Sequence, residues 1–69
     1  MEIIKIKDEY IKLGQLLKLA GLVDSGIDAK YVITEGKVLV NGETETRRGK
    51  KIYNDDVVTY NDRQIKVEA

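Results

Sequence analysis

The segment SGIDAKYVITEGKVLVNG, residues 25–42, decides the fold, because its pattern changes from helical to extended at a single glycine. Ser25 can cap the free backbone N–H groups at the start of a helix, and Asp28 stands three residues further on, as in a capping box. Gly36 supplies the helix stop. A short apolar run then leads to Asn41-Gly42, a dipeptide that tolerates the positive φ of a hairpin turn. The segment therefore predicts a helix, a strand and a tight turn in succession.

The spacing of apolar residues predicts another helix on the N-terminal side of this segment. Asp8 and Glu9 would favour the positive end of its dipole, and Gly21 is placed to end it. The apolar stripes are Leu13, Leu16, Leu17 and Ala20 in the first helix and Ala29, Val32 and Ile33 in the second. Both helices are too short to be stable alone, so we expect them to pack on each other and on a sheet.

Short runs rich in β-branched residues predict strands in the rest of the chain. The predicted strands are Glu2–Lys7, Val38–Val40, a stretch that begins at Ile52, Val57–Tyr60 and Arg63–Val67, with turns at residues 54–56 and 61–62. The pattern indicates an α+β fold in which two short packed helices are followed by a small, mostly antiparallel sheet. Because the sequence contains no linker and no repeat, we expect residues 1–69 to form a single domain.

The composition excludes several classes of function. With no Cys and no His among 69 residues, the chain lacks disulfides, zinc thiolates and the commonest general base near neutral pH. A core of this size leaves little stability to spare for a strained catalytic pocket. No stretch approaches the roughly 20 apolar residues of a membrane span. We therefore expect a soluble cytoplasmic protein that is not an enzyme and needs neither cofactor nor metal.

A local positive segment stands out because Lys and Arg together equal Asp and Glu, at 12 each, and the formal net charge is zero. The segment is ETRRGKK, residues 45–51, in which Arg47, Arg48, Lys50 and Lys51 surround Gly49. Guanidinium forks and compact ammonium groups both bind phosphate, and a glycine allows close approach of the backbone. A solvated loop kept charged for solubility has the same spacing, so the spacing alone leaves both interpretations open.

The order of these features resembles the S4-type RNA-binding domain, also known as the alpha-L RNA-binding motif, over roughly residues 8–60. The shared residues are Leu16-Leu17-Lys18, Gly21, Ser25-Gly26, Ala29-Lys30, Glu35-Gly36, Val38, Val40, Gly42, Glu45-Thr46-Arg47 and Lys51. The resemblance is closer still to the stand-alone bacterial members of the YaaA and YbcJ type. It implies binding of structured RNA, commonly ribosomal or transfer RNA, through the two helices and the start of the following hairpin.

Two positions depart from the pattern of that family. Many members carry Arg directly after the serine that starts the second helix, where this chain has Gly26. Many also have Gly-Asp before the strand predicted at Val57, where this chain has Asp55-Asp56. The first difference puts phosphate contacts from that point in question, whereas the second changes a turn.

The candidate RNA-binding residues are Lys18, Ser25, Lys30, Tyr31, Lys37, Arg47, Arg48, Lys50 and Lys51. Ser25 also has a role as a helix cap, and Lys37 can instead discourage edge-to-edge strand pairing. Tyr31 is the best placed tyrosine for stacking on a base, because Tyr10, Tyr53 and Tyr60 are expected within the sheet or core. Since the sequence gives no sign of an aromatic pair on one sheet face, it favours recognition of RNA shape and backbone.

These observations predict a monomeric, non-catalytic RNA-binding protein whose partner is structured ribosomal or transfer RNA, with ribosomal proteins as possible neighbours and no membrane association. The alternative is a protein-interaction adaptor, in which an exposed sheet edge or helix face docks a partner and the basic loop recognises an acidic segment. The net charge of zero is the best support for that alternative.

Overall fold

The computed structural model describes all 69 residues and contains seven strands and two helices. Their order along the chain is β1 (Glu2–Lys5), β2 (Tyr10–Lys12), α1 (Leu13–Leu19), α2 (Gly26–Thr34), β3 (Leu39–Val40), β4 (Glu43–Thr44), β5 (Lys51–Tyr53), β6 (Val57–Tyr60) and β7 (Arg63–Glu68). The predicted fold class, two packed helices followed by a small and mostly antiparallel sheet, is confirmed. Neither helix has the length and apolar character needed to cross a membrane.

The larger sheet has five strands in the order β1-β7-β6-β3-β4. Only the pairing of β1 with β7 is parallel. Two-residue turns connect β3 to β4 at Asn41-Gly42 and β6 to β7 at Asn61-Asp62, and φ is positive at all four of these residues. Positive φ at both central positions gives the type I′ geometry that matches the twist of a hairpin. Both predicted hairpin turns are therefore confirmed.

The smaller sheet is a two-stranded antiparallel ribbon formed by β2 and β5. The sequence pattern missed β2 and placed Asp8 and Glu9 at the start of the first helix. That expectation was wrong, because β2 lies in between and the first turn of α1 contains no acidic residue. Lys12, at the N-cap position, makes no side-chain cap either. The start of α1 must therefore satisfy its backbone N–H groups in another way.

The second helix begins and ends as the sequence predicts. The Asp28 N–H donates to Ser25 Oγ over 3.2 Å, so Ser25 is the N-cap, although no hydrogen bond from the Asp28 carboxylate completes a capping box. Gly36 follows the end of α2 with φ of 76°, a left-handed conformation that glycine adopts readily. The helix is fixed by local interactions at both ends.

One hydrophobic core joins the helix pair to both sheets, and no polar side chain is buried in it. α1 contributes Leu13, Leu16 and Leu17, α2 contributes Ala29 and Ile33, and the other members are Val38, Val40, Ile52, Val58, Ile65 and Val67. Val32, predicted in the apolar stripe of α2, is half-buried against this cluster. The polar and charged side chains of both helices consequently remain at the surface.

Candidate nucleic-acid interface

The basic segment is attached to the start of α1 through backbone hydrogen bonds. The Leu13 N–H donates to the Lys50 carbonyl over 2.8 Å, and the Gly14 N–H donates to the Arg48 carbonyl over 3.1 Å. These bonds satisfy two of the backbone N–H groups that no side chain caps. They also hold the backbone of the loop of residues 45–51 against the first turn of α1, so the loop carries its cations beside this helix.

Gly14 is required for this close approach. A Cβ atom built at Gly14 would lie 2.7 Å from Arg48 Cγ, closer than such carbon atoms pack. The aliphatic stem of Arg48 therefore lies directly over the Gly14 backbone. This contact places the Arg48 side chain at the junction of the loop and α1.

A groove of about 330 Å³ runs between α1, α2 and the loop. The residues that line it, here called the α1–α2 groove, are Lys12, Gly14, Gln15, Lys18, Gly26, Ala29, Arg48 and Gly49. Three of them are cations and none is acidic. In a chain with a formal net charge of zero, this groove is a local concentration of positive charge.

The cations of the groove are free of ion pairs. The four ion pairs of the structure engage other cations, namely Lys37 with Glu35, Arg47 with Glu45, Arg63 with Glu2 and Lys66 with Asp55. None of those four cations lines the groove. Lys12, Lys18 and Arg48 can therefore bind an anion without first breaking an internal ion pair.

Arg47, at the start of the loop, is paired with Glu45. Its Nε and Nη2 donate to the two Glu45 carboxylate oxygens over 3.0 and 3.1 Å, and its backbone N–H donates to Oε2 over 2.9 Å. These hydrogen bonds, together with the positive charges of Arg47 and Lys50, lower the pKa of Glu45 to about 2. The pair shapes the loop, and Arg47 offers phosphate less net charge than Arg48 does.

A second surface cavity, of about 520 Å³, adjoins the groove through Gly49. Its lining residues are Arg47, Gly49, Lys50, Lys51 and Tyr53. A neighbouring depression of about 500 Å³ shares Arg47, Lys50 and Lys51 but also contains Glu43, Glu45 and Asp56. The positive field is therefore strongest on the side of the loop that faces α1 and weaker on the side that faces β4.

The structure brings some of the predicted site residues together and leaves others apart. Lys18 and Arg48 both line the α1–α2 groove, and Arg47, Lys50 and Lys51 border the adjoining cavity. Lys30 and Tyr31 are exposed on α2, and Lys37 lies 3.1 Å from Glu35; none of the three lines the groove. Ser25 caps α2. The proposed role of each in RNA binding stays a prediction.

Sequence reasoning missed three residues of the groove: Lys12, Gly14 and Gln15. Lys12 belongs to β2, which the pattern did not predict, and its position follows from a strand pairing between distant segments. Gln15 stands one turn before Lys18 on α1, and this helical spacing was the one sequence signal available. Gly14 gave no local signal, because its role depends on Arg48, a residue far away in the sequence.

The arrangement can bind anions but does not provide a metal site. No group of three or more His, Cys, Asp or Glu side chains is placed to hold a metal ion. A groove lined by three cations and no carboxylate instead suits the phosphates of an extended polyanion. The fold and the groove together define a small α+β binding module.

Comparison with known proteins identifies the family. The family model described as the S4 domain matches residues 4–68, and the chain therefore belongs to the S4 domain family. The chain is 53% identical over 55 residues to the probable ribosome maturation protein RlbA of Bacillus subtilis (strain 168), an alignment that covers 80% of this chain and 78% of that protein. It is 40% identical over 63 residues to YbcJ of Escherichia coli (strain K12), covering 91% and 90% of the two chains.

Two solved structures have the same fold. The solution structure of YbcJ from E. coli, described as revealing an alpha-L motif involved in RNA binding, superposes with a TM-score of 0.76 at 37% identity and covers 100% of this chain and 89% of YbcJ. The crystal structure of ribosomal protein S4e from Thermoplasma acidophilum gives a TM-score of 0.63 at 24% identity, covering 84% of this chain and 31% of S4e. The first confirms the resemblance predicted from the sequence, and the second is a likeness of fold.

Proposed function

We propose that this protein is a non-catalytic RNA-binding protein that recognises structured RNA, ribosomal or transfer RNA, through the α1–α2 groove and the adjoining loop. The observation that carries the proposal is the presence of three unpaired cations, and no carboxylate, in one groove of a chain with zero net charge. Membership of the S4 domain family and the description of the YbcJ motif as RNA-binding support the same ligand.

The side chains of the groove suit phosphate in complementary ways. Arg48 presents a planar fork that can hold two phosphate oxygens, whereas Lys12 and Lys18 act as compact charges on β2 and α1. Gly26 and Gly49 leave open space, since a Cβ atom at either position would meet nothing within 4 Å. An RNA backbone can therefore approach both the loop and the start of α2 closely.

The relatives suggest where such binding takes place. The B. subtilis relative carries the name of a probable ribosome maturation protein. This name supports the proposal that the protein binds ribosomal RNA in the cytoplasm, with ribosomal proteins as neighbours. We propose in addition that it acts as a monomer. Transfer RNA is the other structured RNA with which the family is associated, and the experiment below distinguishes the two.

The proposal predicts a strong dependence of affinity on salt. Lys50 and Lys51 are also free of ion pairs, which gives five cations together with the three in the groove. Five phosphate contacts correspond to a slope of log K against log salt between about −3.5 and −4.5. A fourfold increase in salt should then weaken binding on the order of 100-fold or more.

The test is to crosslink the tagged protein to RNA in bacterial cells and to sequence the attached RNA. A Lys18→Glu/Arg48→Glu variant is the control, with its fold checked by circular dichroism. We expect enrichment of one region of ribosomal or transfer RNA that is lost in this control. RNA at background level with the wild-type protein, or equal enrichment with the variant, would contradict the proposal.

A second candidate function, the protein-interaction adaptor, has one structural observation in its favour. Ile27 and Tyr31 stand one turn apart on α2 and are 69% and 62% exposed, away from the groove. An apolar pair of this kind can contact a protein partner. This function predicts a partner that is retained after nuclease treatment and lost in an Ile27→Ser/Tyr31→Ser variant.

A further inference from the structure

We infer that the outer face of the β2–β5 ribbon stacks an unpaired base of the RNA on Tyr53, beside the phosphate-binding groove. This inference rests on the proposed function and deepens it, because it names single-stranded nucleotides next to a folded RNA element as the preferred ligand. The sequence pattern did not indicate an aromatic pair on one sheet face. The structure corrects that interpretation, because Tyr10 and Tyr53 are direct partners in the ribbon.

The register of the ribbon determines which side chains share its outer face. Tyr10 pairs with Tyr53, Ile11 with Ile52, and Lys12 with Lys51. Successive residues of a strand point to opposite faces, and Ile52 is fully buried in the core. The two tyrosines and the two lysines therefore share the face that points away from the core.

Within this face, Tyr53 is the tyrosine that is free to receive a base. The ring centroids of Tyr10 and Tyr53 are 5.8 Å apart with an interplanar angle of 48°, so the two rings are tilted against each other. The Lys51 ammonium lies 4.8 Å from the centroid of Tyr10 and occupies a face of that ring. Tyr53 is 42% exposed and borders the cavity that also contains Lys50 and Lys51.

The neighbours of Tyr53 hold it in place before any ligand arrives. Tyr10 packs against its ring, and the Tyr53 backbone N–H donates to Asp56 Oδ2 over 2.8 Å. A tyrosine has few rotatable bonds, so a large contact area is ordered at a small loss of conformational entropy. An exposed aromatic ring held rigidly among cations is suited to stacking on an unpaired base.

The groove and the ribbon form one continuous surface. Lys12 lines the groove and is the ribbon partner of Lys51, which borders the Tyr53 cavity. Gly49 borders both the groove and that cavity. An RNA strand whose phosphates occupy the groove can thus continue over the loop and deliver a neighbouring base to Tyr53.

The test compares two RNA hairpins, one with a single-stranded adenosine overhang that contains a fluorescent adenine analogue and one with a blunt end. The variants are Tyr53→Val, which keeps the β-branched character of a strand residue but removes the ring, and Tyr53→Phe, which keeps the ring. We expect Tyr53→Val to weaken binding of the overhang hairpin by about 5- to 150-fold, the range typical of one lost base stack. The Tyr53→Val substitution should also abolish quenching of the analogue, but it should leave the affinity for the blunt hairpin unchanged. Tyr53→Phe should behave as wild type with both hairpins.

The possible outcomes separate this inference from the proposed function. If the Tyr53→Val variant binds the overhang hairpin with wild-type affinity and full quenching, the inference is overturned. The groove proposal is then unaffected. An equal loss of affinity for both hairpins would assign Tyr53 a structural role and would also overturn the inference. Circular dichroism and the Tm report whether the variant is folded. If wild type binds neither hairpin, the proposed function and the inference fail together.

Discussion

The backbone N–H of Gly14 donates a hydrogen bond to the Arg48 carbonyl, and Arg48 Cγ occupies the space that a side chain at Gly14 would need. The first turn of α1 and the basic loop are therefore one structural unit. A second bond, from the Leu13 N–H to the Lys50 carbonyl, holds the loop backbone against the same turn. Arg48 and Lys18 both line the α1–α2 groove, and in the proposed function one RNA backbone contacts the two of them.

Replacement of Gly14 by Ala should reduce RNA affinity with little effect on stability. The new methyl group displaces the flexible side chain of Arg48 from the groove, while alanine is favoured over glycine in a helix by up to about 1 kcal/mol. We expect the free energy of unfolding to change by less than about 1 kcal/mol, because the helix preference offsets the strained contact. Chemical denaturation and RNA titration measure the two quantities. Unchanged RNA affinity would show that the position of Arg48 is unimportant for binding.

Replacement of Gly26 by Arg should increase RNA affinity. Gly26 lines the groove, does not have positive φ, and a Cβ atom there would meet nothing within 4 Å. The added guanidinium therefore enters the groove without strain and can contact one more phosphate. The slope of log K against log salt should become steeper by about 0.7 to 0.9. Gly26→Gln, which adds a polar side chain without charge, is the matched control and should leave the slope unchanged; equal slopes for all three proteins would count against the groove.

The Glu45–Arg47 pair should make stability depend on pH in acid. The pKa of Glu45 is lowered from 4.5 to about 2, first by the side-chain hydrogen bonds from Arg47. Because the pKa of Glu45 is lower in the folded state, the ionised carboxylate stabilises the protein at pH values above its pKa in the unfolded chain. This stabilisation is lost as the pH falls from about 4.5 toward about 2. In urea denaturation across this pH range, the difference in the free energy of unfolding between wild type and Glu45→Gln should decrease as the pH falls. A difference between the two proteins that stays constant with pH would contradict the assignment.

Asp56 should be more important for stability than its place in a turn suggests. Its Oδ1 accepts a hydrogen bond from Asn41 Nδ2 over 3.0 Å, and its Oδ2 accepts one from the Tyr53 N–H over 2.8 Å. It thereby joins the β3–β4 turn to the ribbon. Asp56→Ala should lower the free energy of unfolding by about 1–3 kcal/mol, as measured by denaturant titration. The comparison is Asp24→Ala, because Asp24 is exposed and does not have the positive φ that would make alanine strained. Similar losses for the two variants would show that the cross-connection adds nothing.

The features that could be predicted from the sequence are those fixed by local interactions. The Ser25 cap, the glycine stops and the two hairpin turns each depend on residues within a few positions of one another. The shared motif residues then led to the correct family, since their order and spacing carry more information than any single dipeptide. Lys18 is one of these motif residues, whereas Arg48 was predicted from the basic segment at residues 45–51, and both line the groove.

The remaining features depend on contacts between distant segments. The ribbon pairs Tyr10–Lys12 with Lys51–Tyr53, and a strand of three residues is too short to show an alternating pattern. Lys12, Gly14 and the Tyr10–Tyr53 pair acquire their roles only through that pairing or through the docking of the loop. The ion pair of Arg47 with Glu45 is local, but it depends on side-chain rotamers that spacing does not specify.

The central claim is that the unpaired cations of the α1–α2 groove bind RNA phosphates, and the most direct measurement compares Arg48→Glu with Lys66→Glu. The two variants have the same net charge, but Arg48 lines the groove and Lys66 lies on β7, paired with Asp55. RNA affinity is measured for both over a range of salt concentrations, using the RNA recovered by crosslinking. We expect Arg48→Glu to lose most of the affinity and to reduce the salt slope by about 1 or more, with Lys66→Glu close to wild type. Equal effects of the two variants would show that RNA responds to net charge alone and would contradict a site in the groove.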